Sequence, residues 1–346
     1  MKTRVVLPQS RRKQRSVSSA TARQADLTPP AVTDAGALAV PDAQLSQMAV
    51  LHYEQGLSQQ EIADRYGISK MTASRMMQRI RETGIVRFEI RFPFQVNAKA
   101  EADLCRRYTL RRAVVVKHPA DRVMDVPSLL GSAYAFLLEL ELQLNQVIGL
   151  GVGATMGQMV RHLIPMKTEN LHLVQLIGGL TNVQESNPFT ILQEASRKLQ
   201  TGGTYVSTLA AVESRAVRDS LLGSTAGRKI QAMWCECDKA IYGIGTMDSG
   251  TLLSPDLTRA EELASLRKAG AVGDILGHCF DADGQFIRNR LEERLVSIPV
   301  DVLREVGERT AVAGGAQKAT AIRIALRTGL IDVLVTDDQA AELLLS

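Results

Sequence analysis

Two groups of residues in this 346-residue chain have the types and spacing to do chemistry. The first lies in the last two thirds, in five glycine-bearing segments. These are Gly149 to Gly157 (GLGVGATMG), Ile177-Gly178-Gly179-Leu180 with Asn182, and Gly243-Ile244-Gly245-Thr246. The fourth is Ala271 to Asp281 with Asp274, followed by Asp283-Gly284, and the fifth joins Ala313 to Lys318 (AGGAQK) with Thr336-Asp337-Asp338. Backbone amides at a glycine-rich helix start, with the Thr155 hydroxyl beside them, are suited to a phosphate. Asp274 and Asp337 can accept hydrogen bonds from hydroxyls, and Lys318 adds a cation; a sugar or polyol phosphate needs that mixture. The second group is the stretch 69–81, where Ser69, Lys70, Thr72, Ser74, Arg75, Gln78, Arg79 and Arg81 occur without one acidic residue. Small polar and basic side chains in that density suit phosphates and base edges in the major groove of DNA.

Each group also has a plainer alternative. Glycine-rich turns serve tight packing, and the match to G-x-G-x-x-G at Gly149, Gly151 and Ala154 is imperfect. Thr155, Asp274, Asp337 and Lys318 could be helix-start or turn residues. A catalytic version would make Asp274 or Asp337 a base and Lys318 an electrophile or Schiff-base donor. No base is visibly paired with an orienting group, however. His278 and Cys279 have no metal-ligand spacing around them, Trp234 reads as packing, and no cofactor or metal is expected. For 69–81 the alternative is a plain helical bundle with a solvated basic face.

The elements that must position these residues are legible from periodicity. Apolar Leu45, Met48, Ala49 and His52 recur at spacings of three and four, which predicts a helix from Asp42, as N-cap, to Tyr53. Ser58-Gln59-Gln60-Glu61 is a capping box that starts a second helix, ended by Tyr66-Gly67. Ser69 caps a third, whose apolar stripe is Ala73, Met76, Met77 and Ile80. Two helices joined by a short glycine turn, the second of them basic, form a helix-turn-helix, with residues 69–81 as its recognition helix. The candidate DNA contacts are therefore Ser58, Gln59, Ser69, Lys70, Thr72, Ser74, Arg75 and Arg79. Ile85 to Ile90 alternate as a short strand would, giving a winged-helix-like all-α unit.

Beyond residue 100, short apolar runs alternate with amphipathic helices. Strands are expected at 113–116, 147–150, 171–177, 204–208, 240–244, 295–298, 311–313 and 333–335. Helical stretches at 127–144, 189–199 and 317–327 make this a Rossmann-like α/β domain. Ligands of such folds bind beyond the carboxyl ends of strands, which places the candidate effector set at Gly151, Gly153, Ala154, Thr155, Met156, Gly178, Gly179, Gly245, Asp274, Lys318 and Asp337. The expected division is a disordered basic tail (1–40), a DNA-binding unit (41–91) and an effector-binding and oligomerisation unit (92–346).

Composition agrees. With 45% hydrophobic and 23% charged residues the chain is neither disordered throughout nor a disulfide scaffold. The formal charge of +4 is uneven: residues 1–40 hold seven basic against two acidic residues, 41–91 seven against six, and 92–346 27 against 29. A polyanion partner therefore belongs to the N-terminal part. No long apolar run predicts a membrane span, the four cysteines read as reduced thiols, and a cytoplasmic protein is expected.

The segment GLSQQEIADRYGISKMTASRMMQRIRETGIV resembles the DNA-binding module of bacterial SorC-family regulators, which belong with the DeoR/SorC-type repressors. VGDILGHCFD, VAGGAQKATAIRIALRTGLIDVLVTDDQAA and GLGVGATM resemble the sugar-binding domain of the same family, so the resemblance spans roughly residues 42 to 346. It implies a fold similar to ribose-phosphate isomerases and glucosamine-phosphate deaminases, a phosphorylated sugar or polyol as effector, operator DNA as partner, and a non-catalytic homodimer or homotetramer. By that resemblance the Gly153-Ala154-Thr155 turn would hold the phosphate, with Asp274, Lys318 and Asp337 around the sugar. The chain departs from the pattern at Ala154, where members often carry a hydroxyl residue, and at Leu209 to Glu213, where they often carry Pro-Ala-Pro.

Overall fold

The computed structural model describes residues 41–86, 93–120, 123–181 and 186–346. Packing divides the chain between Phe92 and Pro93 into two compact units. The expected tail, most of the 85–90 strand and Asn182 lie outside the described residues.

Among its described residues the first unit has three helical segments. Helix α1 (Asp42–Ala49) begins after Pro41, so Asp42 is its first helical residue rather than its cap, and it widens into a π-helical turn at Val50–Glu54. Helix α2 (Gln59–Tyr66) starts at the expected capping box: the Glu61 amide donates to Ser58 Oγ at 3.2 Å, and the Ser58 amide to Glu61 Oε2 at 2.7 Å. It stops at Gly67, whose φ of 60° is left-handed and inexpensive only without a Cβ. Helix α3 (Lys70–Glu82) follows, with Ser69 Oγ accepting from the Thr72 amide at 3.1 Å. Leu45, Met48, Ile62, Ala63, Ala73, Met76, Met77 and Ile80 form one apolar core. That core fixes α3 with its polar side outward.

The second unit is an α/β layer structure. Seven parallel strands are β1 (Arg112–Val116), β2 (Val147–Leu150), β3 (His172–Gln175), β4 (Gly202–Thr204), β5 (Lys239–Tyr242), β9 (Glu308–Val312) and β10 (Val333–Asp337). Their order is β1-β10-β9-β5-β2-β3-β4. Alternate side chains feed two cores, as a sheet covered on both faces requires. Val114, Ile148, Leu150, Leu173, Ile241 and Val335 pack towards one, and Val115, Val174, Ala240, Tyr242, Ala311 and Leu334 towards the other. Three short strands, β6 (Gly245–Thr246), β7 (Ala271–Ile275) and β8 (His278–Asp281), make a separate antiparallel sheet.

Three sequence expectations are corrected. Residues 295–298 make only isolated bridges, Leu295 to Ala211 and Ser297 to Ile177, instead of joining a ladder. The strand expected at 204–208 is instead Gly202–Thr204, and the segment 271–281, absent from the expected strands, is a hairpin whose turn is Leu276-Gly277. There Leu276 (φ 54°) and Gly277 (φ 87°) both take left-handed conformations, which a two-residue hairpin turn demands.

From β2 the chain runs outward through β3 and β4, then returns to place β5 on the other side of β2 and continues to β9 and β10, which pairs with the first strand, β1, at that edge. The strand order therefore reverses between β2 and β5. Crevices in open parallel sheets form at that point, beyond the carboxyl ends of the two strands.

Candidate functional site

A cavity of about 590 Å³ opens beyond the carboxyl ends of β2 and β5. That volume suits a small metabolite. Leu150 ends β2, and Gly153 then turns the chain with φ 121° into the nine-residue helix Ala154–His162. No side chain caps this helix, so its first amides are left for another acceptor. Val152, Gly153, Ala154 and Thr155 line the cavity on that side. Beyond β5, Gly243, Ile244 and Gly245 line it, and Asp274, Leu276 and Lys318 close it from the hairpin and the loop after β9.

Among the described residues, Asp274 and Lys318 are the ionisable groups in this wall, and both are withdrawn from water. Asp274 is 7% exposed and accepts from the Gly277 amide at 2.9 Å. Burial raises its pKa, partly offset by that amide and by the nearby Lys318 and His278. Burial lowers the Lys318 pKa, and the attraction of Asp274 opposes the shift. Lys318 Nζ donates to the Ile244 carbonyl at 2.7 Å, which aims the amine at the end of β5. The cavity thus offers a helix N-terminus, a hydroxyl at Thr155, an amine and a carboxyl group.

Six sequence-predicted residues meet here: Gly153, Ala154, Thr155, Gly245, Asp274 and Lys318. Five others stand outside the cavity lining. Gly151 packs under it, where a Cβ would stand 2.8 Å from Tyr242 Cβ. Met156 is buried in the core. Gly178 and Gly179 lie in a bridged segment away from the cavity: the Gly178 amide donates to the Val296 carbonyl at 2.9 Å, and a Cβ there would lie 2.4 Å from the Leu209 carbonyl oxygen. Asp337 is fully buried and caps the C-terminal helix, its Oδ1 accepting from the Ala340 amide at 2.9 Å and the Gly315 amide at 3.1 Å. It therefore holds the turn that leads to Lys318, and its carboxylate does not reach the cavity.

Sequence reasoning missed the remaining wall, formed by Pro127, Ser186, Ser249, Gly250, Thr251, Leu253, Ser254 and Pro255. The polar run Asp248-Ser249-Gly250-Thr251 was the available signal. This loop is tied down by Asp256, whose Oδ2 accepts from the Thr181 amide at 2.8 Å, and by the buried Arg294, which donates to the Leu257 carbonyl and to Glu262. Ser254 Oγ is buried without a hydrogen-bond partner.

His278 lies behind Asp274 and supports the hairpin. Its Nδ1 faces Glu292 Oε1 at 3.0 Å and its Nε2 faces the Ile298 carbonyl at 2.8 Å. Both ring nitrogens face acceptors, an arrangement that favours the doubly protonated imidazolium. Burial disfavours that charge, but Glu292, the Ile298 carbonyl and Asp274 outweigh it and hold the pKa above the ordinary 6.5. A raised folded-state pKa stabilises below the unfolded value and is lost as pH rises through the folded one. The melting temperature should therefore fall as pH is raised from about 6 upward through the folded pKa of His278, and Glu292→Gln should flatten that dependence. An identical slope in Glu292→Gln would assign it to another group. Cys279 beside it is a buried core thiol, and Trp234 packs in the same core with Nε1 donating to the Gln175 carbonyl at 2.9 Å.

In the first unit, α3 presents Lys70, Met71, Ser74, Arg75 and Gln78 to solvent, with Ser58 and Ser69 exposed before their helices and Gln59 and Arg79 half-buried. Thr72 differs from expectation. It is 5% exposed and its hydroxyl lies 2.8 Å from Ser69 Oγ, so it braces the helix start instead of facing a groove.

A helix-turn-helix with a basic outward face, joined to an α/β unit with a metabolite-sized cavity, defines a DNA-binding regulator with an effector domain. The profile described as "Putative sugar-binding domain" matches residues 93–346, and that of a "Homeodomain-like domain" matches 46–87. The transcriptional regulator LsrR of Escherichia coli K12 is 32% identical over 311 residues, covering 87% of this chain and 94% of the relative. LsrR of Klebsiella pneumoniae is 30% identical over 312 residues, covering 87% and 92%. The crystal structure of the full-length sorbitol operon regulator SorC from Klebsiella pneumoniae superposes with a TM-score of 0.67 at 27% identity, covering 88% of this chain and 99% of that one. The chain belongs to the SorC-type sugar-binding transcriptional regulators. Among the described residues no helix is long and apolar enough to cross a membrane.

Proposed function

We propose that this regulator senses a phosphorylated sugar or polyol, held in the cavity between β2 and β5, and that occupancy lowers its affinity for operator DNA. The carrying observation is that one cavity gathers an uncapped helix N-terminus, Thr155, Lys318 and Asp274. The amides of 154–156 and the Thr155 hydroxyl suit the phosphate, where the helix dipole adds to the attraction. Asp274 and Lys318 suit the hydroxyls of the sugar, and Ser254 Oγ offers a further partner. Asp274 uses one oxygen on the Gly277 amide and Lys318 uses its amine on the Ile244 carbonyl, which favours binding over turnover.

A coupling free energy of about 1–3 kcal/mol between effector and DNA would change operator affinity roughly 5- to 150-fold. One recognition helix reads few base pairs, so a homodimer or homotetramer on repeated half-sites is part of the proposal, and the cytoplasm is where DNA and metabolite meet. Calorimetric titration of the full chain with pentose and hexose phosphates, against the same compounds without phosphate, tests the site. Equal affinity for both forms would remove the phosphate from the proposal. Lys318→Ala should leave DNA binding intact and abolish release by effector; a variant that still releases normally places the ligand elsewhere.

A further inference from the structure

The core face of α3 is complete without Met71: Thr72, Ala73, Met76, Met77 and Ile80 are its buried residues. Met71 is instead 66% exposed. At 100° per residue, positions 71, 74, 75 and 78 fall on one face, so Met71 stands in line with Ser74, Arg75 and Gln78, one residue after Lys70. Gln78 Nε2 is engaged with Glu82 Oε1 at 2.8 Å, leaving the N-terminal half of this face to Lys70, Met71, Ser74 and Arg75. Single exposed apolar side chains are ordinary on protein surfaces. This one sits within the first turn of a recognition helix, the part that meets base edges, and basic neighbours draw that part to DNA.

We propose that Met71 is a sequence-reading residue whose side chain packs on the C5-methyl group of a thymine in the major groove. That methyl is the apolar feature of the groove edge, distinguishing thymine from cytosine independently of hydrogen bonds. Methionine suits the contact because it is unbranched and adapts its rotamers to an apolar partner. Arg75 and Lys70 supply charge-based attraction, and Met71 supplies a preference that salt does not screen.

The test uses the full chain and duplexes enriched by it from a random DNA pool. Each thymine of an enriched site is replaced in turn by deoxyuridine, which removes only the methyl. The expected result is a loss of about fourfold at one thymine per half-site, the scale of one methylene-sized group leaving water. Met71→Ala should bind the thymine duplex more weakly by a similar factor and no longer distinguish the deoxyuridine one. The substitution favours helix at an exposed site, and an unchanged melting curve confirms that the fold is intact. Enrichment without a thymine preference, deoxyuridine effects all below twofold, or a penalty that persists in Met71→Ala would each overturn the assignment.

Discussion

Gly245→Ala should remove the effector response while leaving the DNA-binding unit folded. A Cβ at position 245 would stand 1.9 Å from Asp274 Oδ1 and 2.9 Å from its Cγ. The carboxyl group cannot move aside without loss: it is buried, bonded to the Gly277 amide, and set opposite Gly245 by the β6–β7 register. Either the strands part or Asp274 is driven from its place in the cavity wall. Overpacking and a lost buried hydrogen bond together cost about 2–4 kcal/mol, which should lower the melting temperature of the sugar-binding unit by roughly 5–10 °C. Calorimetry of the full chain measures this directly. In an Asp274→Ala background the clash is absent, so the same glycine substitution should cost much less, and additive costs would mean that the two residues do not meet.

The second large effect is expected at Arg75. Arg75→Ala should weaken binding to operator duplexes by about 5- to 150-fold, the range of one good base contact, without altering effector affinity or the melting curve. Arg75 is exposed on the outward side of α3, while the core is made by residues on the opposite side. Salt titration separates its two possible roles. If Arg75 meets a phosphate, the slope of log affinity against log salt falls by about one and the loss is uniform across sequences. If it meets a guanine edge, the slope changes little and specificity relaxes at one position. Unchanged affinity would take Arg75 out of the interface.

Local signals carried much of this molecule. The Ser58–Glu61 capping box, the Ser69 cap, the Gly67 stop and the apolar stripe of α3 act within a few residues, so the helix-turn-helix was legible before any tertiary contact was known. The buried strands at 113–116, 147–150 and 333–335 were equally visible, since parallel strands covered on both faces read as continuous apolar runs. The segment 271–281 was not, because its glycines and short apolar runs fit a loop as well as a hairpin, and pairing with β6 decides the matter. Thr72 reads as polar from its type, yet helical phase turns it towards the core, where Ser69 satisfies its hydroxyl.

By itself, the sequence determined the two-part organisation of charge and periodicity, the recognition helix, and the residue types a sugar phosphate would need. Only the tertiary structure decided which of those residues share a cavity. The strand order brings β2 and β5 side by side, so Thr155, Asp274 and Lys318, each over 40 residues from the next in sequence, line one space. Asp337 carries the same carboxylate as Asp274, yet its Oδ1 takes the Gly315 and Ala340 amides and its Oδ2 is buried without a hydrogen-bond partner, outside the cavity lining. The physical reason is that a side chain's chemistry is intrinsic, whereas its availability depends on which backbone groups the fold leaves beside it needing a partner.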